Sequence, residues 1–382
     1  MSTSARAEVR VDLDAIRHNV RHLAGLARGA ATMAVVKADG YGHGAADVAR
    51  TALDAGAGWL GVCTLEEAAQ LRAAGITAPV LSWLHVPDED FAPAVATDVD
   101  LGVASRRHLA AVAAGARAAG RAARVHLKID TGLSRNGCAP RDWGDLLEAV
   151  ADHVAAGEVE PVAVWTHLAH ADAPAHPTID VQADRFDAAH AAARTRLDRP
   201  LLAHVANSAA TLTRPDLHRD LVRPGIAVYG LDPVAGPGEP TALRPAMSLR
   251  SRVALVKTVA AGEGVSYGHI WTTPTERTLA LVPVGYADGV PRLLGSTGKL
   301  TVGIGGVRRP VVGRVCMDQV VVDLGPSDAA HGVVEGDEVL LFGDGSDGGP
   351  TAAEWADLLG TIHYEIVTGV GGRPRLRRTV VG

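Results

Sequence analysis

Between residues 33 and 230, short apolar runs alternate with longer alanine-rich segments whose charged residues recur at helical spacing. Eight of the runs read as strands: Met33–Lys37, Trp59–Cys63, Pro79–Trp83, Asp100–Val103, Arg124–Ile129, Val162–Thr166, Leu202–Val205 and Leu221–Arg223. Helical patterns lie between them. One spans Thr64–Ala74, opened by Thr64 with Glu67 three residues on, the signature of a capping box. Another spans Trp143–Ala156. Eight strands alternating with helices predict an α/β fold, a parallel (β/α)8 barrel. An open doubly wound sheet is the competing arrangement, but no Gly-x-Gly-x-x-Gly loop opens its first helix.

After about residue 245 the pattern changes. "AMSLRSRVALVKTV", "TLALVPVGYADG", "KLTVGIGG" and "VVVDLG" are β-rich and split by glycine turns, with little helical pattern before "TAAEWADLLG". This stretch predicts a separate, mainly-β domain. Asp232–Pro245, with four prolines and two glycines, reads as the linker. The division is therefore a barrel over 1–240 and a β domain over 241–382, with a strand near 7–12 available to join the latter.

Composition narrows the classes. Hydrophobic residues at 47% build a sizeable core, and aromatics at only 4% leave aliphatic side chains and alanine to fill it. The 37 Lys+Arg against 43 Asp+Glu give −6, with no basic stripe, which argues against nucleic acid or an anionic membrane as partner. The start, "MSTSARAEVRVDLD", has no apolar signal core, and no run of eighteen apolar residues occurs. Cys63, Cys138 and Cys316 are far apart without CxxC spacing, so neither a metal site nor a disulfide framework is expected. The chain reads as soluble and cytoplasmic.

The polar outliers of the first region fall at carboxyl ends of predicted strands. Lys37 ends the first strand, Lys128 and Asp130 the fifth, and His167 the sixth; Asn207 and Ser208 follow the seventh, and Arg223 ends the eighth. A lone strand-end lysine is ordinarily a solvated surface residue. Five strand ends agreeing point to a site, because in a barrel they converge on one mouth. "RPGIAVYG" (Arg223–Gly230) sets a guanidinium beside a Pro-Gly turn whose Gly225 and Ile226 amides would face an anion. Ser208 is of N-cap type at the head of "SAATL", which also suits phosphate. An amine plus a phosphate cradle fits a phosphorylated carbonyl held as a Schiff base, and pyridoxal 5′-phosphate is the commonest such cofactor.

Nine motifs now carry a resemblance: "VVKADGYGHG", "HLKIDTGLSRNG", "WTHLAHAD", "HVANSAA", "LVRPGIAVYG", "VSYG", "GYADG", "GRVCMDQ" and "GTIHYEIVT". In this order they resemble alanine racemases, pyridoxal-phosphate enzymes joining a barrel to a C-terminal β domain and working as homodimers with shared active sites. The resemblance implies that Lys37 anchors the cofactor and is one of two catalytic bases, with Tyr267 the other, reaching in from the second subunit. It implies Arg223 at the pyridine nitrogen. Tyr41, Ser208, Gly225, Ile226 and Tyr364 would hold the phosphate. His167 would lie against the ring, with His204 and Asn207 supporting. Arg135 would contact the phenolic oxygen and the substrate carboxylate. Lys128 matches a position often carbamylated in the family. Met317 and Asp318 of the partner would close the substrate pocket, and Asp172, Tyr286, Arg292 and Arg314 would line its access corridor.

The implied activity is interconversion of L- and D-alanine, supplying D-alanine for peptidoglycan. A racemase of broader or serine-directed scope and a non-catalytic cofactor-binding barrel protein are the alternatives. Two departures from the family pattern, Asp39-Gly40 for Asn-Ala and Ser134 for a frequent glycine, touch neither base nor phosphate group, so small effects are expected. Racemisation needs a base on each face of Cα, and lysine and tyrosine, with reference pKa values of roughly 10, both need help. His167 and Arg223 are expected to lend Tyr267 positive charge. An arginine at the pyridine nitrogen, unable to give up its proton, leaves that nitrogen unprotonated and so disfavours transamination. Tyr229 and Tyr286 read as packing residues, His43 as a loop histidine, His170 and His176 as surface groups and Cys316 as a small buried residue. Trp83 either walls the pocket or fills the barrel.

Overall fold

The computed structural model describes residues 5–27, 29–236, 241–328, 332–346 and 348–382. Strand β1 (Ala7–Asp12) leads into a helix, Leu13–Leu26, capped by the Asp12 carboxylate. The barrel strands follow as β2 (Ala31–Val35), β3 (Trp59–Val62), β4 (Val80–Ser82), β5 (Val99–Val103), β6 (Ala123–Lys128), β7 (Val159–Trp165), β8 (Leu202–His204) and β9 (Leu221–Val222). They pair in parallel in the order β8-β7-β6-β5-β4-β3-β2-β9. An Asn207–Arg223 bridge, with backbone bonds from Asp220 to Ala203 (3.1 Å) and Arg223 to Ala206 (2.9 Å), spans β8 and β9. The sheet therefore rolls up into the expected barrel.

The apolar runs became strands because parallel strands inside a ring of helices are buried on both faces. Every residue of β5 is buried, Asp100 included. Gly61 makes room inside the barrel for an indole: a Cβ there would sit 2.7 Å from the Trp83 ring. The helices Leu65–Ala73 and Trp143–Ala155 occur as read, the first with its Thr64/Glu67 capping box formed.

The second unit is a nine-stranded sheet. Its strands are β10 (Met247–Arg252), β11 (Leu255–Val259), β14 (Arg277–Val282), β15 (Thr301–Ile304), β16 (Val307–Val312), β17 (Val320–Pro326), β18 (Glu338–Phe342) and β19 (Arg377–Val381), together with β1. A ribbon of β12 (Gly264–Val265) and β13 (Trp271–Thr272) projects from it. β1 lies between β10, antiparallel, and β19, parallel, so the chain's first strand belongs to this sheet. Two short helices, Ala352–Leu359 and His363–Val370, end this region before β19. Of the expected linker, residues 237–240 lie outside the described residues; before them the Asp232 carboxylate accepts from the amides of Val234 (2.9 Å) and Ala235 (3.1 Å). Among the described residues no helix is long and apolar enough to cross a membrane.

Candidate active site

A cavity of about 260 Å³ opens where the carboxyl ends of the barrel strands meet. Its walls include Lys37, Tyr41, Lys128, Arg135, His167, Asn207, Ser208, Arg223, Gly225, Ile226 and Tyr364. All ten residues expected to hold a cofactor are thus in one place, together with Lys128.

Lys37 does not end a strand. β2 stops at Val35, and Lys37 opens a turn in which Ala38, Asp39, Gly40 and Tyr41 have φ of 52°, 53°, 63° and 51°. This is a turn of left-handed helix, costing on the order of 1–2 kcal/mol for each residue with a Cβ. Three of those four residues are not glycine, so the turn is not shaped by glycine freedom alone. Side chains from elsewhere hold it instead. The Ala38 N–H donates to Glu67 Oε1 (2.6 Å), and Asp39 accepts from the Ala45 amide (2.9 Å) and pairs with Arg378 on β19. His43 is fully buried; its Nδ1–H reaches the carbonyls of Gly40 (3.1 Å) and Tyr41 (3.0 Å). Burial pushes its pKa down to about 4, so it is a neutral staple of the turn.

The anion cradle differs in detail from expectation. Asn207, not Ser208, caps the helix Ser208–Thr213, accepting from Ala210 N–H at 3.1 Å. Ser208 Oγ instead accepts the amides of Gly225 (2.8 Å) and Ala227 (3.3 Å), so the Gly225 amide is already engaged. With its lone pairs so used, the Ser208 hydroxyl has its proton left to donate. Gly225 passes under Tyr41 so closely that a Cβ would lie 2.4 Å from the phenol oxygen. Burial raises the pKa of both Tyr41 and Tyr364, leaving neutral O–H donors beside Ser208. Tyr229 packs 4.9 Å from Tyr41, centroid to centroid, and donates to the Val35 carbonyl at 2.9 Å.

Deeper in the cavity the groups are cationic. Arg223 is buried; it donates to the carbonyls of Thr166 (2.8 Å) and Val205 (3.2 Å) and to His204 Nδ1 (3.1 Å). Burial lowers its pKa to about 9, which still leaves it charged at neutral pH. Lys128 is pushed down to about 8, first by burial and then by Arg223 and Arg135. Burial, then Arg223, Arg135, Lys128 and Lys37, push His167 down to about 3. This corrects the expectation that His167 lends positive charge to a base: at physiological pH it is neutral and offers a hydrogen bond only.

Trp165 is a wall residue that sequence reading did not single out. Lys128 Nζ lies 4.3 Å and Arg223 Cζ 5.0 Å from its ring, which thereby shields two cations by cation–π contact. A tryptophan inside a buried strand gives no sign of this role. Trp83 does both things proposed for it, lining the cavity and packing 6.0 Å from Trp165. Arg135 sits in an exposed loop, where Ser134 has φ of 57° and its amide reaches Asp130 at 3.1 Å. That left-handed φ is why glycine suits position 134.

Tyr267, Met317 and Asp318 are not in this cavity. They line a second one, of about 620 Å³, on the β domain between β11, β14 and the β12 hairpin. Tyr267 is 70% and Met317 52% exposed, and Asp318 pairs with Arg375 at 2.6 Å. Arg314 is half-buried behind them, its carbonyl accepting from Ser266, while Asp172 and Arg292 are exposed. Tyr286 is 37% exposed rather than packed in a core. Cys316 is half-buried rather than buried, 3.1 Å from Ser266 Oγ. His170 and His176 stack at 3.8 Å near the surface. His204 lies beneath the cavity floor, fully buried.

Two family models cover the chain: "Alanine racemase, N-terminal domain" over residues 11–233 and "Alanine racemase, C-terminal domain" over 246–379. An alanine racemase of Mycobacterium avium is 56% identical over 367 residues, 96% of this chain and 93% of that protein. One from Salinispora arenicola is 56% identical over 96% of each. Among solved structures, the alanine racemase of D-cycloserine-producing Streptomyces lavendulae superposes with a TM-score of 0.94 at 49% identity, covering 100% of this chain and 98% of that one. The Bacillus anthracis enzyme, solved with bound L-Ala-P, gives 0.87 at 36% identity over 100% and 96%.

Proposed function

The chain belongs to the alanine racemase family of isomerases, and on that premise we propose that it interconverts L- and D-alanine with pyridoxal 5′-phosphate, using bases from two subunits. The observation that carries this reading is the meeting of Lys37 with three neutral hydroxyls and a buried guanidinium around one 260 Å³ cavity. The donors suit the cofactor. Ser208, Tyr41 and Tyr364 present O–H groups to a tetrahedral anion where Gly225 leaves no room for a side chain, and the Gly225–Ile226 turn closes that end. Arg223 would face the pyridine nitrogen as a donor. Lys37 is the residue for covalent attachment.

When bound, the cofactor acidifies the Cα–H of an amino acid joined to it. The protein's own residues do the rest. Lys37 Nζ holds or takes the proton on one face of Cα, and the partner's Tyr267 Oη does so on the other. The exposure of Tyr267 and Met317 in a single chain supports a partner covering them; Met317 and Asp318 of that partner would narrow the pocket. Arg135 orients the substrate carboxylate and Lys128 lies where a carbamate would steady that arginine. His167 offers a neutral edge to the ring. Asp172, Tyr286, Arg292 and Arg314 would form the way in. Supply of D-alanine for peptidoglycan in the cytoplasm is the role we assign.

The test has four parts. Borohydride reduction of the yellow protein should place the label on Lys37, and a label elsewhere overturns the site. Both alanine enantiomers should lose optical activity, and a serine control measures scope. Mixing inactive Lys37→Ala and Tyr267→Phe chains should restore partial activity; no recovery would exclude a shared site. Rescue of a D-alanine auxotroph tests the physiological role.

A further inference from the structure

Below the cavity floor a chain of buried polar side chains runs down the barrel interior. Arg223 Nη1 meets His204 Nδ1 at 3.1 Å, His204 Nε2 meets His126 Nδ1 at 3.0 Å, and His126 Nε2 meets Asp100 Oδ2 at 3.0 Å. Arg124 closes the far end, its Nε donating to Asp100 Oδ1 at 2.7 Å. Asp100, His126 and His204 are buried, and Arg124 reaches solvent. Asp100 and Arg124 lie near the amino ends of β5 and β6, and Arg223 follows β9, so the chain spans from the base of the barrel to its mouth.

The two ends dictate where every proton sits. A guanidinium only donates, so His204 Nδ1 must carry a lone pair and its proton must be on Nε2. That N–H faces His126 Nδ1, which must accept, so the His126 proton is also on Nε2. It donates to the Asp100 carboxylate, which only accepts. Reversing any link sets two N–H groups against each other. Both imidazoles are therefore neutral, each in its Nε2–H form. Burial, with Arg223 and His126 adding to it, holds His204 well below its usual pKa. Burial alone would raise Asp100, but the bonds from His126 and Arg124 outweigh it and hold it ionised.

Barrel interiors are normally filled by branched apolar side chains. A buried ionic chain in that place is weak support for stability, since apolar replacements of equal volume often serve as well. Its directionality is what such replacements lack. Among the described residues Arg223 has no ion pair with a carboxylate; its positive charge is answered through two imidazoles instead.

Resting on the racemase reading, we infer that Asp100 and His126 are positioning residues for Arg223. They fix His204 as an acceptor and so aim the guanidinium at the deep end of the cavity, where the pyridine nitrogen would lie. Asp100→Asn is the incisive change. Arg124 holds the Oδ1 position closely through Nε (2.7 Å) and reaches Oδ2 only at 3.4 Å, so the amide oxygen stays on Nε and the NH2 is left facing His126. That demands an acceptor at His126 Nε2, shifts both imidazoles to Nδ1–H and points an N–H of His204 at Arg223.

The first measurement needs neither cofactor nor turnover. Nitrogen-15 spectra of histidine-labelled, cofactor-free protein should show His126 and His204 with the proton on Nε2; a proton on Nδ1 of His204 overturns the inference. In Asp100→Asn both should switch or exchange. In the cofactor-loaded protein that variant should form at least tenfold more pyridoxamine 5′-phosphate per racemisation event than its parent, a ratio that simple loss of fold would not move. An unchanged ratio with intact spectra overturns the positioning role. Should Asp100→Asn fail to fold, His126→Phe breaks the link to His204 while Asp100 keeps Arg124; the pyridoxamine ratio should then rise at least tenfold, and an unchanged ratio overturns the positioning role. Absence of cofactor binding in the parent protein would count against the racemase reading and leave the proton positions standing.

Discussion

Glu67 accepts the backbone N–H of Ala38 at 2.6 Å, one residue beyond Lys37. Its other oxygen accepts from Cys63 (2.6 Å) and Thr64 (3.3 Å) while Thr64 caps the same helix, so one carboxylate ties the helix start to the lysine turn. Glu67→Ala should therefore lose more than a capping box. A cap alone is worth about 1 kcal/mol, and the orphaned Ala38 amide adds roughly another 1 kcal/mol. Urea unfolding should report a loss on the order of 2 kcal/mol, with the borohydride label on Lys37 falling in parallel. A loss confined to helix-cap size would mean the turn holds itself.

Asp39 is one of the two departures from the family pattern from which small effects are expected. The structure gives it two partners, Arg378 on β19 and the Ala45 amide. Both charges of the ion pair are partly solvated, so a double-mutant cycle of Asp39→Asn and Arg378→Gln should show a coupling of only about 0.2–1 kcal/mol, diminishing in high salt. Asp39→Ala should cost more than Asp39→Asn, because it also removes the acceptor for Ala45. Equal losses for the two would assign the whole effect to charge.

Gly225 has φ of −110° and ψ of −90°, a pair outside the α and β regions that side-chain-bearing residues favour. A second objection to a side chain there is steric, a Cβ placed 2.4 Å from the Tyr41 hydroxyl. Gly225→Ala should still fold, at a cost on the order of 1–3 kcal/mol for the strained backbone. Displacing Tyr41 takes a donor from the cradle, so cofactor titration followed by absorbance should show affinity at least tenfold weaker, about 1.4 kcal/mol. Unchanged affinity would remove Tyr41 from the phosphate site.

The barrel was readable because strands buried on both faces become unbroken apolar runs, and a polar residue ending such a run stands out. Lys128, the last residue of β6, and Arg223, just after β9, were found that way. The left-handed turn was not readable. Nothing local forces Ala38 or Tyr41 to positive φ; the partners that hold it lie 29 and 339 positions away, at Glu67 and Arg378. Trp165 read as core because burial and site-lining give the same residue type. His126 and Asp100 did leave a signal, since each interrupts a run of buried apolar residues within a strand. Its meaning depends on both pointing into one barrel interior, and that comes from register across neighbouring strands.

Lys128 carries the remaining prediction. Burial, with Arg223 and Arg135, lowers its pKa to about 8, against roughly 10.4 for an unfolded lysine. Between those values the unfolded state binds more protons, so the penalty is full below pH 8 and fades as pH rises toward 10. Lys128→Met keeps the stem without the charge. In bicarbonate-free buffer it should be more stable than its parent at pH 7, on the order of 1–3 kcal/mol, less whatever the cation–π contact with Trp165 returns. The gap should narrow through pH 8 to 10. Bicarbonate provides the second arm: at pH 8 about half the amine is neutral, its lone pair adds to CO2 with loss of a proton, and the resulting anion sits among cations. Parent stability should then rise while that of Lys128→Met stays put. A gap insensitive to both pH and bicarbonate would mean that Lys128 is charged and solvated at neutral pH, and its match to the carbamylated position would carry no chemistry here.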